Sequence, residues 1–158
     1  MDPEARVEAS EHAALRLWLR LLTCTQLVEK QIRNQLRDHF DTTLPRFDLM
    51  AQLQRAPLGL KMNELSRRLM MTGGNITGIT DQLVMEGLVE RTQLDGDRRA
   101  YLVRLTAKGQ RSFAQMAQAH EGWIVQAFAS LSGKEQDQLH KLLGKLKQNQ
   151  ALAQEIPA

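Results

Sequence analysis

Between residues 88 and 105 the hydrophobic pattern changes period, and few folds accommodate the change. Upstream, "KMNELSRRLMMTGGNITGITDQLVMEGL" repeats its apolar residues at helical spacing. Then "LVERTQL" and "AYLVRL" alternate as strands do, with Tyr101, Val103 and Leu105 set against Leu102 and Arg104. "DGDRR" lies between them, with Asp and Gly placed for a hairpin turn. After Thr106 the helical period returns. A pair of strands inserted once into an otherwise helical chain predicts a mainly α fold carrying a small β-hairpin.

The helices can be read in order. Residues 8–40 form one run, with Leu15, Trp18, Leu22, Val28, Ile32, Leu36 and Phe40 on one side and no Gly or Pro inside it. At 1.5 Å per residue such a helix approaches 45 Å, about the reach of ~30 residues. That exceeds what a small single core needs, so part of it must pack on something else. Asp41 to Thr43 break the pattern, Pro45 suits a helix start, and Phe47, Met50 and Leu53 mark a short helix closed by Ala56-Pro57-Leu58-Gly59. Met62, Leu65 and Leu69 mark the next helix, where Glu64 stands at a capping-box position but Lys61 replaces the expected Ser or Thr. Thr72 is placed to cap a further helix with an inner face of Ile76, Ile79 and Leu83 and a stop at Gly87. Phe113, Met116, Ala117, Ile124, Ala127, Phe128 and Leu131 outline a second long helix. Ser132 and Glu135 form a capping box for the last, whose apolar face is Leu139, Leu142, Leu143 and Leu146. The tail, residues 151–158, is expected to fray.

Bulk properties narrow the class. The chain has 158 residues and 4% aromatics, so its core is built from Leu, Met, Ile, Val and Ala. No apolar stretch nears the ~18 residues that span a bilayer, and the acidic "MDPEARVEAS" is not a signal sequence. The expected location is the cytoplasm. One cysteine, Cys24, excludes an internal disulfide framework and a cysteine-rich zinc site. His12, His39, His120 and His140 are scattered without metalloprotease spacing, and neither a nucleophile elbow nor a phosphate loop occurs. No enzyme, metal or cofactor is expected. The charge is uneven: residues 55–111 carry ten Lys/Arg against six Asp/Glu, and the remainder eleven against twelve. The positive excess therefore surrounds the period change, where it suits phosphate binding.

"MTGGNITGITDQL", residues 71–83, lies in that zone. Each glycine lowers helix stability by about 1 kcal/mol relative to Ala. Two short helices and a hairpin in this order describe a winged helix-turn-helix, whose second helix enters the DNA major groove. A groove ~12 Å wide explains the small outer face. Gly73, Gly74 and Gly78 admit the sugar-phosphate backbone, and the amides after Thr72 suit a phosphate oxygen. Asn75, Thr77, Thr80, Asp81 and Gln82 supply short polar groups for base edges. Asp81 and Asp97 either orient nearby arginines or accept from cytosine. Arg98 and Arg99 on the hairpin reach phosphates or the minor groove, and Arg67 and Arg68 help clamp the backbone.

The stretch from "LPRFDLMAQLQRAP" through "NELSRRL" and "GLVER" to "LTAKG" resembles the MarR family of bacterial transcription regulators, over residues 10–148. Asp97-Arg98-Arg99 followed by Leu105-Thr106 and Gly109 is the most specific part of the likeness, and Lys61 departs from it. The resemblance implies a homodimer paired through helices 8–40 and 107–150, with residues 45–105 as the DNA-binding lobe. It implies a repressor on a pseudo-palindromic operator. It also implies release by a small molecule, commonly an aromatic or phenolic acid, held near His12, Arg16, Arg20, Phe47 and Met50. Arg would hold a carboxylate, and Phe and Met an apolar wall. Peroxide sensing through Cys24 is the alternative. It is disfavoured because Tyr101, the sole tyrosine, lies in the wing, so Cys24 is expected to pack as a small apolar residue.

Overall fold

The architecture was obtained as a computed structural model, which describes residues 12–96 and 100–155. The elements run α1 (Ala13–Phe40), α2 (Leu44–Gln54), β1 (Leu60–Lys61), α3 (Met62–Leu69), α4 (Gly73–Met85), β2 (Val89–Gln93), β3 (Tyr101–Leu105), α5 (Ala107–Ala127) and α6 (Gly133–Glu155). They divide into two compact units, one ending at His120 and the other beginning at Glu121.

In the first unit the helix boundaries follow local chemistry. Thr43 caps α2, its hydroxyl accepting from the Arg46 amide at 3.4 Å, with Pro45 inside the first turn. Lys61 gives α3 no side-chain cap, as its identity requires. Thr72 caps α4, accepting from the Asn75 amide at 3.3 Å. At the far end of α4, Gly87 adopts φ +73°. The Leu88 amide then reaches the Leu83 carbonyl at 2.9 Å, and the Gly87 amide the Val84 carbonyl at 3.0 Å, as a Schellman ending demands.

The hairpin is one part of a three-stranded antiparallel sheet ordered β1–β3–β2, with Leu60 opposite Val103 and Val89 opposite Leu105. The expectation of two strands is corrected here. β1 has only two residues and carries no period of its own. Gly59 brings it to the sheet: at φ +97°, a side chain there would meet Leu102 Cγ and the Val103 carbonyl at 2.8 Å.

The core joins all these elements. Leu36 of α1, Leu49, Met50 and Leu53 of α2, Leu65 of α3, Ile76 and Leu83 of α4, Val89 and Val103 are fully buried. The buried stripe of α4 is Ile76, Thr80 and Leu83, while Ile79 is half-buried. Thr80 was expected on the DNA face. It is instead 0% exposed, because the helical spacing of 76, 80 and 83 places it on the core side. Its hydroxyl has no hydrogen-bond partner among the described residues.

The junction of sheet and α5 explains "LTAKG". The Thr106 hydroxyl donates to the Gly87 carbonyl at 2.6 Å and accepts from the Gly109 amide at 3.0 Å, while the Thr106 amide binds the Leu88 carbonyl at 3.1 Å. Lys108 donates to the Glu86 carbonyl at 2.8 Å, a cation at the negative end of α4. A Cβ on Gly109 would lie 1.9 Å from the Leu88 carbonyl oxygen.

In the second unit, Ser132 and Glu135 form the expected capping box, with bonds of 2.9 and 3.2 Å. Hydrogen bonding to the carboxylate from the Ser132 amide, and then from the Ser132 hydroxyl, holds the Glu135 carboxyl below its ordinary range. Leu142, Leu146 and Leu152 of α6 are exposed. α6 continues to Glu155, so the helix takes in residues 151–155 of the tail.

Two outcomes test this packing. Gly109→Ala should lower stability by at least about 2 kcal/mol in thermal denaturation, since backbone cannot yield as a side chain can. Thr80→Val should raise Tm by about 2–4 °C, because an unbonded buried hydroxyl is replaced by a methyl of like shape. It should leave DNA affinity unchanged; weaker binding would return Thr80 to the contact surface.

Candidate nucleic-acid interface

With Ile76, Thr80 and Leu83 turned inward, the outer face of α4 is Gly73, Gly74, Asn75, Thr77, Gly78 and Gln82, all exposed. None of its glycines has a positive φ. A Cβ added to Gly73, Gly74 or Gly78 would meet no neighbouring heavy atom of the described residues within 4 Å. Close packing inside the chain therefore does not account for them. Gly59 and Gly109 have steric reasons within the fold; the three on α4 do not.

The polar groups on this face are partly committed. The Thr72 hydroxyl caps the helix, and Thr77 donates to the Gly73 carbonyl at 2.9 Å. The first amides of α4, those of Gly73 and Gly74, lie ahead of the intrahelical ladder and suit an anion. Asp81 pairs with Arg91 of β2 at 2.7 Å. The pair is of the kind expected of an Asp81 that orients an arginine, and it joins α4 to β2.

Arg67 and Arg68 stand in the last turn of α3, where cations suit the helix dipole. Both engage Glu64: Arg67 Nη2 reaches its two oxygens at 2.6 and 2.7 Å, and Arg68 Nε reaches it at 2.8 Å. The hydrogen bonds from Arg67 and then Arg68 hold the Glu64 carboxyl below its ordinary range and push the Arg67 guanidinium up. One carboxylate thus fixes two guanidiniums and leaves a net positive charge, with further N–H groups on each. Along the sheet, Arg104 pairs with Glu90, and Arg91 lies 6.0 Å from the Tyr101 ring centre. Arg98 and Arg99, with Asp97, lie outside the described residues.

Of the expected effector residues, Phe47 and Met50 lie on α2, and His12, Arg16 and Arg20 at the start of α1 or along it. Phe47 and Met50 are 5% and 1% exposed, so they belong to the core rather than to the wall of an open cleft. Phe47 packs on Phe113 with centroids 5.4 Å apart and on His120 at 4.7 Å. Burial holds the His120 imidazole below its ordinary pKa. His12 stands at the start of α1 without a capping bond, and Arg20 is exposed. Arg16 is half-buried, with an Nε that has no acceptor among the described residues. Cys24 is exposed on α1, contrary to its expected packing, because it falls outside the stripe of Ile32 and Leu36. Among the described residues no helix is long and apolar enough to cross a membrane, and no His/Cys/Asp/Glu group could hold a metal.

Sequence reasoning missed Arg46. It pairs with Glu86 at the end of α4 and donates to Gln82 Oε1 at 3.4 Å. The available signal was its position, since a cation in the first turn of a helix opposes the dipole unless something compensates.

Comparison with known proteins agrees with this geometry. The MarR family model matches residues 42–101, from the approach to α2 to the start of β3. The HTH-type transcriptional regulator YkoM of Bacillus subtilis (strain 168) is 36% identical over 85 residues, 54% of this chain and 55% of that protein. The transcriptional repressor MprA of Escherichia coli (strain K12) is 33% identical over 87 residues, 55% of this chain and 49% of that protein. The chain thus spans about half the length of the curated relatives it matches. The crystal structure of a MarR family transcriptional regulator from Silicibacter pomeroyi superposes with a TM-score of 0.76 at 28% identity, covering 91% of this chain and 99% of that one. A matching family model over residues 42–101 and a fold shared over nearly the whole length make this chain similar to the MarR family.

Proposed function

We propose that the chain is a DNA-binding transcription regulator that presents α4 to the major groove and the hairpin to the flanking backbone. One observation carries the reading. The glycines of α4 leave a bare face that nothing among the described residues occupies, and they do so at a cost in helix stability. A partner whose backbone must come close accounts for that, and the net positive charge at the end of α3 suits phosphates. The relative named a repressor favours repression over activation. The proposed residues in contact with DNA are Arg67, Arg68, Thr72, Gly73, Gly74, Asn75, Thr77, Gly78 and Gln82, with Arg98 and Arg99 at the hairpin.

The regulator acts as a homodimer on a pseudo-palindromic operator. Leu17, Trp18 and Leu27 of α1, and Leu142 and Leu152 of α6, are each more than half exposed, and a second copy would cover them. Placing Glu at both Leu142 and Leu152 should yield monomers in sedimentation velocity, while the wild type sediments as a dimer. The effector is an aromatic carboxylate or phenol. What supports an acid is the half-buried Arg16, whose Nε lacks an acceptor among the described residues. The alternative is a redox-sensing regulator, for which the exposure of Cys24 on α1 is the support, and replacement of Cys24 by Ser would then abolish a peroxide response.

The first test is fluorescence anisotropy of a labelled duplex from the DNA upstream of the coding region. It is run at several salt concentrations, with and without salicylate and related acids. Tight binding that falls with salt and with one acid supports the whole reading. Binding no better than to random DNA overturns the regulator assignment for that site. The decisive variants are Gly74→Leu and Gly78→Leu. Both should fold as well as the wild type or better, because helix propensity rises by up to about 1 kcal/mol. Both should lose at least about tenfold in operator affinity, the scale of one lost base contact.

A further inference from the structure

Arg46 occupies the first turn of α2, behind the Thr43 cap and Pro45. Its guanidinium makes contacts through each of its nitrogens. Nε donates to Thr42 Oγ1 at 3.1 Å, Nη1 donates to Gln82 Oε1 at 3.4 Å, and Nη2 pairs with the Glu86 carboxylate. The Arg46 side chain is only 16% exposed, which shields these contacts from salt. Thr42 belongs to the connection between α1 and α2, while Gln82 and Glu86 lie one turn apart at the end of α4. One side chain therefore ties the α1–α2 connection and the start of α2 to the last turn of α4. The other flank of α4 is held by Asp81 and Arg91.

The grip also orients Gln82. Arginine offers donors alone, so the Gln82 oxygen is the end that faces Arg46. Its amide nitrogen is then the end left for an outside partner. Such a group serves acceptors, namely guanine N7 and O6, adenine N7 or thymine O4, rather than the amino group of cytosine.

We infer that Arg46 is a positioning residue for DNA recognition: without touching DNA, it sets the lie of α4 and presents the Gln82 amide as a donor. The inference rests on the DNA reading above. It separates Arg46 from Arg67 and Arg68, whose proposed role is electrostatic. Loss of a phosphate contact weakens all sequences alike and lowers the salt slope by about one. Loss of a positioning contact weakens the chosen sequence and leaves both the slope and random-sequence binding in place.

The experiment uses a duplex selected by the full-length wild type from a randomised pool, alongside a scrambled duplex. Affinities are measured across a salt series for Arg46→Met, Glu86→Gln and the exchange Arg46→Glu with Glu86→Arg. Arg46→Met should lose about tenfold on the selected duplex, with the scrambled duplex and the salt slope unchanged. Glu86→Gln should shift in the same direction by less, and the exchange should recover little of the loss, because a carboxylate at position 46 re-forms the ion pair but cannot donate to the Gln82 oxygen. Glu86 is half exposed, so its variant carries the test if Arg46→Met fails to fold. Equal losses on both duplexes with a lower slope would make Arg46 a phosphate contact and overturn the inference. Unchanged affinity in Arg46→Met, or in Glu86→Gln alone, would overturn it too. A wild type that selects no sequence from the pool overturns the DNA reading itself, a result distinct from these.

Discussion

The burial of one stripe of α4 governs the rest of the DNA-binding lobe. Ile76, Thr80 and Leu83 lie in the same core as Leu49, Met50 and Leu53 of α2 and Leu65 of α3. A helix of 3.6 residues per turn that buries this stripe must turn Gly74, Thr77, Gly78 and Gln82 outward. The bare outer face and the apolar inner face are thus one constraint seen from two sides. That the stripe admits Thr80, with an unbonded hydroxyl, shows how far geometry prevails over residue preference.

Burial sets which face of α4 looks out, but not how firmly its ends are held. Its C-terminus is tied through Gly87 and Leu88 to Thr106, Lys108 and Gly109 at the start of α5. Its flanks are tied by Asp81 to Arg91 and by Gln82 and Glu86 to Arg46. Salt bridges on an open surface contribute little, but a largely covered arginine with several acceptors is better shielded and geometrically selective. These links join α4 to the wing and to the α1–α2 connection. An event at either place has a physical route to the proposed recognition surface, through contacts that α4 itself makes.

Much of this was legible from residue order. The hairpin was visible because a period of two cannot be mistaken for one of 3.6 over two runs. The caps at Thr72 and Ser132 and the ending at Gly87 were visible because the first turns and the last carbonyls of a helix need partners that few residues supply. β1 was not visible, since two residues carry no period and their pairing depends on Gly59 meeting β3. Thr80 misled because a threonine among glycines and asparagine reads as surface, and the stripe could be drawn through Ile79 as well as through residue 80. Phe47 and Met50, expected beside a ligand, are also core residues of the described structure.

The sequence by itself determined the order of the helices and the hairpin, the caps at Thr72 and Ser132, the ending at Gly87 and the small uncharged face of α4, because these depend on contacts within a few residues along the chain. Tertiary structure decided what sequence spacing leaves open. It put Thr80 inside, aimed Asp81 at Arg91, and brought Arg46 to Gln82 and Glu86 across 36 and 40 positions of the chain. Partners that distant meet only when packed helices and strands bring them within ångströms, and no local pattern encodes that distance.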